Sequence, residues 1–101
     1  MDRFPEELSG CSGFDWDEGN IDKNRDRHGV SVVECEQVFF QRPILIALDA
    51  MHSQNEARYA ALGKTVNDRR LTIVFTVRED LIRVISARDM SRRERRIYDS
   101  A

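Results

Sequence analysis

Residues 70–89 read RLTIVFTVREDLIRVISARD, and this stretch leaves the chain few ways to fold. RLTIVFTVR and LIRVISARD are rich in β-branched and apolar residues, and only Glu79 and Asp80 separate them. Side chains of that kind favour a pleated, half-buried surface, and a two-residue connection suits a tight hairpin. A β-hairpin is therefore the predicted centre of the fold. Upstream, ILIALD (44–49) reads as a strand and EARYAALGKT (56–65) as a weaker one, with VNDRR joining it to the hairpin. These runs predict an antiparallel meander. Period-two alternation then places Arg83 and Arg88 on opposite faces of the last strand.

The flanks carry helix signals. Ser31-x-x-Glu34 and Ser91-x-x-Glu94 are both capping boxes, and Val30 with Cys35 can form a hydrophobic staple across the first. Val32, Cys35, Val38 and Phe39 then share one helical face, and Pro43 closes that region. FDWD (14–17) suits a short strand, and Asp15 or Asp17 could cap a polar helix running to about Arg27. Gly29 stands where a left-handed residue would stop that helix. Residues 1–13, with Pro5, Gly10 and Gly13, read as a loose extension to a single domain spanning 14–101. The expected fold class is α+β, with two N-terminal helices, an antiparallel β-meander and a C-terminal helix.

Length and composition narrow the function. The chain has 101 residues, enough for one core, and 34% of them are charged. No apolar run approaches the roughly 18 residues that span a bilayer, and the first residues lack the pattern of a secretion signal. The two cysteines, Cys11 and Cys35, make neither a disulfide framework nor a zinc motif, so a cytoplasmic location without metal or cofactor is expected. The formal net charge of −2 hides an uneven distribution. Acids dominate residues 1–22, whereas residues 78–96 hold seven arginines against Glu79, Asp80, Asp89 and Glu94. Such a chain can meet both RNA phosphates and an acidic partner.

Single residues carry two readings each. His28 either caps a helix end or transfers protons, since an ordinary imidazole titrates near pH 6.5. His52, Glu56 and Arg58 form a polar trio in which Glu56 could hold Arg58 in place, or they simply satisfy a turn. An arginine at position 83, inside so apolar a strand, must reach an open groove or pair with an acid. Trp16 is expected in the core rather than as a base-stacking platform, and Tyr98 as an anchor for the last helix.

Several segments occur together in a particular order: F-x-W-D at 14–17, N-x-x-R-H-G-V-S at 24–31, VFF at 38–40, H-S-x-x-E-x-R at 52–58, V-F-T-x-R at 74–78, I-R-x-I-S-A-R at 82–88 and R-R-E-R-x-x-Y at 92–98. Joined in this way over about residues 14–99, they resemble the BrnT family of bacterial type II toxins. Arg27 stands where that family usually has lysine, and it suits phosphate binding better than proton transfer. The resemblance implies a RelE-like fold and a metal-independent endoribonuclease that cuts mRNA and inhibits translation. It also implies a cognate BrnA-like antitoxin with a ribbon-helix-helix part, a hetero-tetramer with it, and contact with operator DNA through it, away from any membrane. On this reading the catalytic candidates are His28, Arg58, Arg83 and Arg88. The RNA-binding candidates are Arg27, His52, Glu56, Lys64, Arg92 and Arg93. The alternative is a non-catalytic module that binds RNA or an antitoxin.

Overall fold

The computed structural model describes residues 4–19, 21, 28–52 and 55–101, with the side chain of His52 outside that description. Its elements are β1 (Gly13–Phe14), α1 (Val32–Phe40), β2 (Leu45–Leu48), β3 (Tyr59–Lys64), β4 (Arg70–Arg78), β5 (Leu81–Asp89) and α2 (Arg92–Asp99), with short 3₁₀ turns at Glu6–Leu8 and Ala50–His52. The five strands form one sheet in the order β1-β5-β4-β3-β2.

The hairpin forms where the sequence places it. Glu79 and Asp80 both take positive φ, 51° and 66°, as a two-residue turn needs if it is to follow the strands' right-handed twist. From β2 to β5 the strands run as an antiparallel meander. The sequence reading does not anticipate β1 as an edge strand, where it pairs parallel to β5 through Gly13↔Leu81 and Phe14↔Ile82.

The sheet has a core face and an opposite face. The pairings put Tyr59, Ala61, Gly63, Leu71, Ile73, Phe75, Val77, Ile82, Val84 and Ala87 on the first. Helix α1 lies across it and buries Cys35, Val38 and Phe39, with the Phe39 ring edge-on to Phe75 at 5.1 Å. Gly63 lets the helix come this close: a Cβ there would sit 2.6 Å from Val38 Cγ1. The Ser31 capping box is complete, and Gly29 has φ 63°, the left-handed conformation expected of it.

Two expectations need correction. The described α-helices do not open the chain: a 3₁₀ turn and β1 come first and α1 follows them before β2, while α2 ends the chain, where a C-terminal helix was expected. The expected first helix falls largely outside the described residues. At its start, Ile21 N–H donates to the Asp17 carbonyl at 3.0 Å. Residues 4–13 are also more than a loose tail. Leu8 joins the buried core, and the Phe4 ring lies 5.6 Å from Phe14 and 5.0 Å from Phe40. The hydrophobic effect draws these side chains onto the domain despite the glycines between them.

Trp16 packs against the core and donates from Nε1 to Glu36 at 2.8 Å, as its core assignment requires. Helix α2 covers one end of the opposite face. Its Ser91 cap and Glu94 form a second complete capping box, and buried Tyr98 donates to the Pro43 carbonyl at 2.6 Å.

Candidate functional site

A single irregularity decides which arginines share a face. The register shifts between Val74 and Phe75, so that Val74 pairs with Ser86 and Phe75 with Val84. Ile85 is the extra residue of a β-bulge, and it reverses the alternation beyond it. Arg83 opposes Thr76 and Arg88 opposes Thr72, both on the face away from α1. Strict alternation predicts opposite faces for the two arginines. The bulge corrects this: both stand on the face that carries α2.

At the end of this face beyond α2 lies a cluster of charges. Arg78, the last residue of β4, grips Glu56 with two hydrogen bonds of 2.8 Å, Nε to Oε2 and Nη2 to Oε1. That grip holds the Glu56 carboxyl below its ordinary range, and the positive charges of Arg58 and Arg83 add to the effect. Glu56 therefore stays ionised among three guanidinium groups. Arg83 in turn donates to Asp17 at 2.6 Å and to Asp15 at 3.4 Å. Its expected alternatives were an open groove or an acidic partner, and it has the partner. Beneath the cluster, buried Thr76 donates to the Ala57 carbonyl at 2.7 Å and ties the segment carrying Glu56 and Arg58 to β4. Glu56 and Arg58 precede β3 rather than sitting within it, and Glu56 pairs with Arg78 while Arg58 acts on it through its charge.

The other candidates lie elsewhere. The His28–Gly29 corner is fastened by Arg69, which donates to the His28 carbonyl at 3.1 Å, the Gly29 carbonyl at 3.0 Å, Glu34 at 3.1 Å and Asp89 at 2.8 Å. Hydrogen bonding from Arg69 leads in depressing the Asp89 carboxyl, and the exposed His28 lies within electrostatic reach of that end of β5. Six residues separate Asp89 from Arg83, roughly 15–20 Å of strand. The structure thus brings Arg58, Arg83 and Glu56 together and leaves His28 at a distance.

Arg88 lies between these groups. It donates to Glu94 at 2.7 and 3.0 Å, and Thr72 also donates to that carboxylate at 3.0 Å. Led by the Arg88 contact, these bonds pull Glu94 down to about 2. Lys64 ends β3 opposite Arg70, while Arg92 and Arg93 are exposed on the first turn of α2. Arg27 and the ring of His52 fall outside the description.

Arg78 and the acids Asp15 and Asp17 are the site residues that the sequence reading missed. The V-F-T-x-R segment contains Arg78, but only strand pairing shows that it ends beside Arg83. The two acids were assigned to a cap, although an acidic segment in a chain with an arginine-rich strand is itself a pairing signal. The cavities beside the N-terminal segment, about 880 and 270 Å³, are lined by none of the candidate residues. Among the described residues no group of three or more His, Cys, Asp or Glu side chains could hold a metal ion, and no helix is long and apolar enough to cross a membrane.

These features define a small α+β domain with guanidinium groups concentrated on one sheet face. The sequence model described as ribonuclease toxin, BrnT, of type II toxin-antitoxin systems matches residues 16–94, and the chain belongs to that family. A protein antitoxin is therefore its partner by class. No curated protein matches the chain.

Proposed function

We propose that this protein is an endoribonuclease toxin that cuts mRNA and so stops translation, and that the chemistry belongs to the cluster of Glu56, Arg58, Arg78 and Arg83. The observation that carries this reading is an ionised carboxylate held between guanidinium groups on an accessible sheet face. Cleavage by attack of the ribose 2′-hydroxyl needs a base for that proton and positive charge for the phosphorane oxygens. Glu56 accepts the proton. Its two oxygens offer about four acceptor positions, and Arg78 uses two of them. Arg78 fixes the carboxylate, while Arg83 and Arg58 bind the phosphate and stabilise its added charge, the role a metal ion fills in other nucleases. Arg83 reaches the phosphate by exchanging Asp15 and Asp17, both exposed, for substrate oxygens. The departing 5′-oxygen takes its proton from solvent. The products are a 2′,3′-cyclic phosphate and a 5′-hydroxyl.

In this reading Lys64, Arg88, Arg92 and Arg93 lie along the path of the RNA, while His28 stands outside the reacting group. A BrnA-like antitoxin with a ribbon-helix-helix part neutralises the toxin in a hetero-tetramer that binds operator DNA, and the system works in the cytoplasm. Family membership supports this second group of statements.

The test is cleavage of a defined RNA by purified protein, with the product ends identified. Glu56→Gln is expected to slow cleavage about 100-fold or more with the fold intact. Arg83→Ala should cost roughly 3 kcal/mol in the barrier, and chelation by EDTA should change nothing. Full activity in both variants would place the chemistry outside this cluster, and no cleavage by the folded wild-type protein would leave a non-catalytic binding module as the better description.

A further inference from the structure

Helix α2 carries an electrostatic burden that its own fold does not relieve. Arg92, Arg93, Arg95 and Arg96 are all exposed, and Arg92, Arg93 and Arg96 form no ion pair among the described residues. Arg92 faces Arg95 and Arg96 at i+3 and i+4, and Arg93 faces Arg96 at i+3. Like charges at these spacings destabilise a helix, and cations in the first turn oppose its dipole. Both carboxylates of the helix are engaged with the sheet instead. Glu94 binds Arg88 and Thr72, and Asp99 binds Arg70 at 2.9 Å. The helix is held by its sheet side, and its outer side presents unneutralised guanidinium groups.

From this arrangement we infer that the outer face of α2 binds the sugar-phosphate backbone of single-stranded RNA, apart from the reacting cluster. Position supports this. The residues that anchor α2, Thr72, Arg88 and Arg70, belong to the same sheet face as Arg83. Roughly 15 Å of β5 separates Arg83 from Arg88. An RNA strand lying over the cluster thus continues onto the helix. Composition favours RNA over an acidic protein segment. Half-exposed Ile97 is the one large apolar residue the helix presents, too little for the apolar centre of a protein interface, whereas arginines at these spacings meet successive phosphates.

The choice of RNA as occupant rests on the ribonuclease reading, so binding is measured apart from cleavage. The probe is a labelled 2′-O-methyl oligonucleotide, which lacks the attacking hydroxyl. Its affinity for the full-length protein is followed by fluorescence anisotropy from 50 to 200 mM salt. The variant combines Arg92→Gln, Arg93→Gln and Arg96→Gln. Arg95 is left in place because it faces Asp89. With about 0.7 of logarithmic salt slope per phosphate contact, loss of three contacts should flatten the slope by about 2 and weaken binding on the order of 100-fold or more at 50 mM salt. The triple Lys variant should recover the slope. The Gln variant should melt at or above the wild-type temperature, because repulsion is relieved while a good helix former is kept. An unchanged slope would overturn the inference. So would polyglutamate binding that equals the oligonucleotide's and falls with it in the Gln variant, since α2 would then be a seat for an acidic protein. Loss of cleavage in Glu56→Gln has no bearing on either result.

Discussion

Glu94→Gln removes one charge from the joint between β5 and α2 while almost preserving its shape. Gln also serves at the third position of a capping box, so the Ser91 cap survives. The substitution replaces the acceptor of two charge-assisted bonds from Arg88 and one from Thr72 with a neutral amide. The drop of Glu94 from 4.5 to about 2 corresponds to roughly 3 kcal/mol at full strength. Arg88 is 41% exposed, so water screens the pair and about 1–2 kcal/mol is expected to remain. That loss corresponds to a fall in Tm on the order of 5–15 °C for a domain of this size. The pH dependence has a defined sign. A carboxyl depressed in the folded state stabilises above its unfolded value, and that stability disappears as pH falls through the folded value. The gap between wild type and Glu94→Gln should therefore be full at pH 7 and shrink between about pH 4.5 and 2. Urea unfolding followed by circular dichroism at pH 7, 5 and 3 measures it. Equal stabilities at pH 7, or a gap that persists undiminished into acid, would refute this account of the joint.

Further expectations follow from single contacts. Gly63→Ala places a methyl carbon 2.6 Å from Val38 Cγ1 and should cost about 1–3 kcal/mol in urea unfolding; a neutral result would mean that α1 shifts freely on the sheet. Burial pushes the Cys35 thiol up to about 12, so at pH 8 it should resist iodoacetamide until the protein unfolds; rapid alkylation of the native state would show that α1 opens. His28→Gln should alter stability by less than about 1 kcal/mol, because Arg69 grips the His28 carbonyl rather than its ring, and cleavage should stay within a few-fold. A loss of 100-fold with the fold intact would return the imidazole to the reacting group.

The sequence determined what is local. Glu79-Asp80 between two β-branched runs specifies the hairpin, and Ser31 and Ser91 with their glutamates specify where α1 and α2 begin. These features depend on neighbours within about four residues, whose spacing is written in the chain. The BrnT motifs were legible for the same reason, as short words in a fixed order. Tertiary structure decided the rest. The bulge at Ile85 has no local signature in LIRVISARD, because it is defined by the partner strand, and it alone puts Arg83 and Arg88 on one face. Phe4 and Leu8 look like parts of a loose tail until the rings of Phe14 and Phe40 stand beside them. Which acid meets which arginine was likewise hidden. Arg83 meets Asp17 from 66 positions away, and Arg78 meets Glu56 across 22. An ion pair has no preferred spacing along the chain; its partners are set by where the backbone returns. The residue types announced that charge would be gathered, and only the folded sheet decided which charges were gathered where.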